Sequence, residues 1–282
     1  MRPSRFRPPI TLPAGSSSDP AGALTDTGFW HEYWGSVSLP ARLDLTDPGT
    51  RSLASAIDLL LMSRRRDTSR DAAPRALIEI GCAPGAWLAH FARRGFEVAG
   101  IDSSPRGVAL TRQNLEMQNI SAEILEADAL DLDLDGLAHA FDVAISIGVV
   151  EHFDNPLPIF ASHAQLVRSG GTVIIAVPNL RGFNGWLQNR LDPDWLALHN
   201  LETLSPPRLE AIGRDAGLEC RSLEYAGGFN PQLFEWKERS YLGFATTRMG
   251  AAIRRMRRAD HWNSKWFSSM IVAEFVSTRQ RA

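Results

Sequence analysis

The sequence has little of several features that mark other protein classes. Its 282 residues include only two cysteines, Cys82 and Cys220, which argues against a disulfide framework and predicts a reduced, cytoplasmic protein. No apolar run is as long as a membrane span, and no apolar segment follows the N-terminal arginines, so a signal peptide is not expected. There is no internal repeat and no zinc-type spacing of Cys and His, so no metal site is predicted.

An excess of charge of one sign is also missing. The formal net charge is -2, with 30 Lys and Arg against 32 Asp and Glu, so the overall charge does not favour nucleic acid as a partner. Hydrophobic residues make up 44% of the chain and charged residues 22%. This balance is typical of one large α/β domain, alone or with a small cap.

The stretch from residue 76 to residue 105 contains a strand, a glycine turn, a helix and a second strand. The first strand is a short apolar run that includes Glu79, and the second ends at Asp102. Gly81 and Gly85 bracket the turn, where glycine lets a ligand approach the main chain. Units of this type bind a nucleoside-containing cofactor at the carboxyl ends of parallel strands.

The turn by itself leaves two cofactor classes open. A nicotinamide-binding turn reads Gly-x-Gly-x-x-Gly, whereas this turn has Ala83 in place of the middle glycine. The stretch instead resembles motif I of the class I S-adenosylmethionine-dependent methyltransferases, which reads roughly acid-x-Gly-x-Gly-x-Gly. Glu79, Gly81 and Gly85 match that pattern, and the small Ala83 still permits close approach. An NAD-dependent enzyme is the alternative that the turn disfavours.

Further motifs follow in the order that this family shows. By the resemblance, Asp102 accepts hydrogen bonds from both ribose hydroxyls of the cofactor, and Asp128 binds the adenine amino group. The predicted strand at residues 141–147 leads to Glu151-His152, which resembles the small-molecule branch; the Asn/Asp-Pro-Pro-aromatic motif of nucleic-acid enzymes is absent there. The resemblance implies cofactor binding at Glu79, Gly81, Cys82, Ala83, Gly85, Asp102, Ser103, Asp128, Ala129 and Ser146.

The resemblance also implies a doubly wound, Rossmann-like α/β fold with a seven-stranded, mostly parallel sheet and an antiparallel last strand. Residues 1–24 are rich in Pro, Ser, Gly and Ala and predict a flexible tail. Residues 25–72 predict an N-terminal helical cap, and residues 73–282 the methyltransferase domain. Within the cap, Trp30, Tyr33 and Trp34 share one helix face, for which packing on the domain is favoured. An aromatic lid over the cofactor or the acceptor is the alternative, and the two roles are compatible.

Two further segments are assigned to partners. Residues 180–204 follow a strand end on the ligand side and predict an acceptor-binding insertion, irregular over most of its length. Residues 235–260 predict a basic helical segment, for which a surface helix packed on the sheet is favoured and contact with an anionic membrane is the alternative.

The implied reaction moves a methyl group from S-adenosylmethionine to a small-molecule or lipid-like acceptor and leaves S-adenosylhomocysteine. Oxygen is the favoured acceptor atom, and nitrogen and carbon are the alternatives. Since the donor is already activated, the enzyme mainly aligns donor and acceptor. An oxygen acceptor must lose a proton, and His is the usual base near neutral pH, so His152 and His199 are the catalytic candidates, with His152 preferred. The alternatives are a structural hydrogen bond at His152 and a cofactor-binding protein without activity.

Overall fold

The computed structural model describes residues 23–63, 75–132, 136–228, 230, 233 and 263–278. The basic segment predicted at residues 235–260 lies outside the described residues, as do residues 1–22 of the predicted tail. Over the described ranges the elements follow in the order α1 Thr27–Tyr33, α2 Pro48–Ser63, β1 Ala76–Ile80, α3 Ala86–Ala92, β2 Glu97–Asp102, α4 Pro105–Met117, β3 Ala122–Glu126, β4 Phe141–Ile147, α5 Leu157–Leu166, β5 Val167–Pro178, α6 Gly182–Leu191, α7 Pro193–Leu196, α8 Pro206–Asp215, β6 Leu218–Ala226 and β7 Met270–Ser277.

The seven strands form one sheet in the order β3-β2-β1-β4-β5-β7-β6. Neighbours from β3 to β5 are parallel. Strand β7 runs antiparallel to both β5 and β6. The predicted mostly parallel sheet with an antiparallel last strand is therefore confirmed. The strand order reverses between β1 and β4, and such a reversal point is where open α/β sheets bind ligands.

Helices cover both faces of the sheet. Because successive residues of a strand point to opposite faces, Leu77 and Ile78 of β1 enter different cores. Leu77 packs with residues of α2, α3 and α4, and Ile78 packs with residues of α5 and α8. Each fully buried aliphatic side chain of this kind stabilises the fold by about 1.5–3 kcal/mol. The two cores hold the strands of the cofactor-binding unit in a rigid layer.

Helix α2 belongs to this helix layer, which makes the N-terminal cap smaller than predicted. Its apolar residues Leu53, Ile57 and Leu61 are buried in the core that includes Leu77. The carboxylate of Asp58 on α2 also pairs with two groups at α3, the Nε2 of His90 at 3.1 Å and the Nη2 of Arg94 at 2.6 Å. The predicted cap at residues 25–72 is thus divided: α2 packs on the sheet, whereas α1 contacts α4.

Two segments differ from their predicted conformation. Residues 180–200 were predicted to be irregular, but most of them are helical, in α6 and α7. Asp192 lies between the two helices, and its side chain caps α7 by accepting hydrogen bonds from the N–H groups of Asp194 and Trp195. Residues 166–171, which end in a glycine pair, predict a turn before a strand that starts at Thr172. In the structure β5 begins at Val167, so the glycine pair lies within the strand.

Candidate active site

A cavity of about 800 Å³ lies at the carboxyl ends of β1, β2 and β4, beneath α1. This volume is within the range of about 300–1,000 Å³ that small-molecule sites occupy. Its wall includes eight of the residues predicted from the sequence: Gly81, Ala83, Asp102, Ser103, Asp128, Ala129, His152 and His199. The structure therefore places the predicted cofactor-binding edge and both candidate bases in one cavity.

The turn after β1 depends on the glycine at position 81. Gly81 has a φ of +71°, and an added Cβ would lie 2.5 Å from the Cγ2 of Val149. The N–H groups of Gly81 and Cys82 both donate to the carbonyl of Ile101, at 2.8 and 3.2 Å, and close the turn onto β2. Glycine is needed here for its backbone conformation and for the close approach of the next loop.

Asp102 ends β2 with its carboxylate in the cavity wall, only 7% exposed. Its Oδ2 accepts from the N–H of Ala83 at 3.0 Å, and its Oδ1 accepts from the N–H of Ser104 at 2.9 Å. Burial raises the pKa of Asp102, and these two hydrogen bonds counteract that rise. A carboxylate accepts about four hydrogen bonds, so two acceptor positions remain. This acceptor-only group fits the ribose diol of the expected cofactor.

Four predicted cofactor contacts lie behind the cavity wall. Glu79 is 3% exposed, and burial together with the charge of Asp102 raises its pKa well above the usual range. The Cys82 side chain packs in the core that contains Leu77. Gly85 starts α3 with a φ of +83°, and Ser146 is buried within β4. These four residues are not part of the cavity wall, and their contacts with the cofactor stay predictions.

Asp128 is exposed in the wall of the same cavity. Its Oδ1 accepts from the N–H of Leu130 at 2.9 Å, which is the local turn that aspartate commonly stabilises after a strand. The next residue, Ala129, is held through its carbonyl, which accepts from the Oγ of Ser162 at 2.6 Å. Asp128 thus forms the turn and also faces the cavity.

The two candidate bases, separated in sequence, are neighbours in the structure. The ring centroids of His152 and His199 are 4.8 Å apart. The Nδ1 of His152 lies 2.9 Å from the carbonyl oxygen of Leu198, and the Nδ1 of His199 lies 3.0 Å from that of Trp195. Since a carbonyl only accepts, Nδ1 carries the hydrogen in both rings, and each Nε2 keeps its lone pair.

Burial keeps both imidazoles uncharged. It lowers the pKa of His152 to about 3, with the nearby His199 as a second cause. It also lowers the pKa of His199 to about 4. Near neutral pH the cavity therefore presents two neutral rings, each with an Nε2 that can accept a proton or a hydrogen bond.

Glu151 is a cavity residue that the sequence-based site assignment missed, although the Glu-His motif contains it. Its side chain is 1% exposed and lines the cavity, and its Oε2 has no hydrogen-bond partner among the described residues. Burial raises the pKa of Glu151 to about 8. A buried acid without a charged partner is a strong signal of a functional site, but burial is not visible in the sequence.

Helix α1 places an aromatic face over the cavity. Trp30, Tyr33 and Trp34 line it, and the Trp30 ring meets the His152 ring edge-on at a centroid distance of 5.1 Å. Residues 23 and 24, which the sequence predicted to belong to the tail, anchor this helix: the N–H of Leu24 donates to the carbonyl of His152 at 2.7 Å. Of the two predicted roles of the aromatic face, the lid over the cavity matches this placement.

The chain resembles known methyltransferases in sequence. Residues 51–223 match the profile of the family described as "Methyltransferase domain". A ubiquinone biosynthesis O-methyltransferase of Ruegeria pomeroyi is 30% identical over 208 residues, which cover 70% of this chain and 77% of that protein. The enzyme of the same name from Cereibacter sphaeroides is 26% identical over 243 residues, or 80% of this chain and 92% of that protein.

The fold is likewise found among solved structures. The magnesium protoporphyrin IX methyltransferase of Synechocystis PCC 6803, solved with bound S-adenosylhomocysteine, superposes with a TM-score of 0.51 at 15% identity. The match covers 89% of this chain and 94% of that one. At this identity the comparison supports the fold.

Proposed function

The chain belongs to the methyltransferase-domain family, and from this premise we propose that it methylates a hydroxyl oxygen of a small molecule with His152 as general base. S-adenosylmethionine is the methyl donor. The relatives named above are O-methyltransferases, which supports oxygen as the acceptor atom. The observation that carries the proposal is the pair of neutral imidazoles in the cavity wall.

The cofactor side of the cavity is assigned to the turn and the strand ends. Bound there, S-adenosylmethionine supplies an electrophilic methyl group on a sulfonium. The two remaining acceptor positions of Asp102 suit the ribose hydroxyls, and Asp128 suits the adenine amino group. Gly81 leaves the main chain open to close approach.

His152 acts on the acceptor hydroxyl. With a pKa of about 3, its imidazole is a weak base toward an unreacted hydroxyl. As the new C–O bond forms, however, positive charge develops on the acceptor oxygen and makes its proton strongly acidic. The Nε2 of His152 therefore takes the proton late, and the hydrogen bond from Nδ1 to Leu198 keeps Nε2 free until then.

Helix α1 and His199 complete the arrangement. The lid formed by Trp30, Tyr33 and Trp34 excludes water from the acceptor side, which favours a reaction whose charge is dispersed in its transition state. His199 lies next to His152 and offers a second acceptor nitrogen, which suits another donor group of the acceptor molecule. Since His199 follows α7, the proposed acceptor-binding segment at residues 180–204 contributes directly to the cavity.

Replacement of the histidines tests this assignment. We expect His152→Ala to lower kcat for transfer of a labelled methyl group to phenolic acceptors by about 10²–10⁴-fold, while the affinity for S-adenosylhomocysteine stays unchanged. His139→Ala is the matched control, because the Nδ1 of His139 also lies 3.0 Å from a backbone carbonyl, that of Val167, but His139 does not line the cavity. Full activity of His152→Ala removes this residue as the base, and transfer to amines alone removes oxygen as the acceptor.

Partners and location remain predictions from the sequence. The near balance of charges supports a small molecule rather than nucleic acid. No helix among the described residues is long and apolar enough to cross a membrane. Peripheral contact through residues 235–260 concerns a segment outside the described ranges, and the cytoplasmic assignment follows from cysteine content.

A further inference from the structure

We propose that Glu151 determines acceptor specificity by donating a hydrogen bond from its carboxyl group to a second oxygen of the acceptor, next to the hydroxyl that is methylated. The inference rests on the proposed function and names the chemistry that the acceptor must carry. Its basis is a buried acid in the cavity wall that the transfer step itself does not use.

The carboxyl group of Glu151 lies at the strand end where the reaction is placed. A Cβ added to Gly148, the residue that follows β4, would lie 3.6 Å from the Oε1 of Glu151. The other oxygen, Oε2, is buried and has no hydrogen-bond partner among the described residues. A buried oxygen without a hydrogen bond lowers the stability of the fold. Since Glu151 lines the cavity, a ligand bound there can supply the missing hydrogen-bond partner.

The backbone holds Glu151 beside the proposed base. Residues 150–152 form one short 3-10 helix that carries both side chains. The carbonyl of Glu151 accepts from the N–H of Asn200 at 2.7 Å, and the carbonyl of His152 accepts from the N–H of Leu24 at 2.7 Å. The acid and the base are therefore fixed relative to each other before an acceptor binds.

The surroundings keep Glu151 protonated at neutral pH. Among the described residues, the other titratable groups that line the cavity are the acids Asp102, Glu126 and Asp128, the neutral His152 and His199, and the phenol of Tyr33. None of these supplies a positive charge, and burial raises the pKa of Glu151 to about 8 against the opposing effect of its own backbone N–H. The group thus carries an O–H donor below that pH.

The donor and the base match two neighbouring oxygens. The Nε2 of His152 accepts from a hydroxyl, while the carboxyl group of Glu151 donates to an oxygen on the adjacent carbon. An acceptor without the second oxygen leaves the buried acid unpaired, and sites of this kind discriminate strongly against the analogue that lacks the hydrogen-bonding atom.

Two matched probes test the proposal in the full-length protein loaded with S-adenosylhomocysteine. Both are phenols with a hexyl chain para to the hydroxyl; one carries an ortho-methoxy group and the other an ortho-ethyl group, so they differ by an oxygen in place of a methylene. At pH 7 we expect calorimetry to show roughly tenfold tighter binding of the methoxy probe. Glu151→Gln keeps this preference, since the amide also donates, and Glu151→Leu loses it.

The pH dependence adds a readout that a purely structural role would not change. In the wild type the preference declines above about pH 8, as Glu151 ionises and loses its donor, whereas in Glu151→Gln it stays constant. Equal or undetectable binding of the two probes to the wild type overturns the proposal, and so does a preference that persists in Glu151→Leu. A preserved preference without methyl transfer contradicts the proposed function alone.

Discussion

Removal of the Asp102 carboxylate is expected to abolish tight cofactor binding while the fold persists. The group ends β2, faces the cavity and uses two of its acceptor positions for the N–H groups of Ala83 and Ser104. The other two positions are those assigned to the ribose hydroxyls. The change Asp102→Ala removes both sets of hydrogen bonds, so it perturbs binding and stability together.

The size of the binding effect follows from the bonds that are lost. A hydrogen bond to a charged group contributes about 1.5–3 kcal/mol, so two of them contribute roughly 3–6 kcal/mol. Since about 1.4 kcal/mol corresponds to one decade of affinity, the Kd for S-adenosylhomocysteine should rise by about 10²–10⁴-fold. Titration calorimetry measures this change, and circular dichroism verifies the fold.

Asp142→Ala is the matched control for lost backbone hydrogen bonds. The Oδ2 of Asp142 accepts from the N–H of Ala76 at 2.8 Å, and its Oδ1 pairs with Arg168. Asp142 lies at the amino end of β4, whereas Asp102 lies at the carboxyl end of β2 in the same sheet. This variant should unfold more easily yet bind S-adenosylhomocysteine like the wild type. If folded Asp102→Ala binds within about threefold of the wild type, the assignment of Asp102 to the ribose is wrong, since even one such bond is worth more than about tenfold.

Two further predictions concern the turn and the buried histidines. In urea titrations, Gly81→Ala should lower the free energy of unfolding by about 1–3 kcal/mol more than Gly217→Ala. Both glycines have a left-handed φ, but only at Gly81 would the added Cβ meet a neighbour, the Cγ2 of Val149 at 2.5 Å. Equal losses in the two variants would refute the steric argument. Acid should destabilise the protein through His152 and His199, whose pKa values fall from 6.5 in the unfolded chain to about 3 and about 4 in the fold. The unfolded state then binds more protons as pH drops below about 6.5, so each ring lowers the free energy of unfolding by about 1.4 kcal/mol per pH unit until its folded pKa is reached. Buried His163, whose pKa is lowered to about 4, acts in the same sense, and Glu151, whose pKa is raised to about 8, acts in the opposite sense. The double replacement of His152 and His199 by Gln should therefore reduce the slope by the contribution of two rings, and an unchanged slope would contradict the neutral assignment.

Much of the fold was predictable because its signals are local. The apolar runs, the glycine turn and the acid at the end of β2 lie within 30 residues of sequence, and the structure places them at one edge of the predicted sheet. The conformation of residues 180–200 was not predictable in the same way. Asp192 follows the last residue of one helix and caps the next with its side chain, and composition does not reveal such a boundary.

The extent of the cap also escaped sequence reasoning. The spacing of Leu53, Ile57, Leu60 and Leu61 predicts one apolar helix face, and the structure buries Leu53, Ile57 and Leu61 and partly buries Leu60. Which surface that face covers depends on the position of the sheet and on the pairing of Asp58 with His90 and Arg94. A periodic pattern predicts that a helix buries one side, but it does not identify the partner.

The sequence by itself determined the part of the cavity that is proposed to bind the cofactor: the strands, the turn at Gly81 and the acid Asp102 follow in chain order, and strand ends of a parallel sheet meet at one edge. Only the tertiary structure decided the part that is proposed to bind the acceptor. The contact of His152 with His199, the lid formed by α1 and the isolation of Glu151 join segments that are distant in the chain. Burial then sets which of these groups are charged, and burial is a property of the packed molecule.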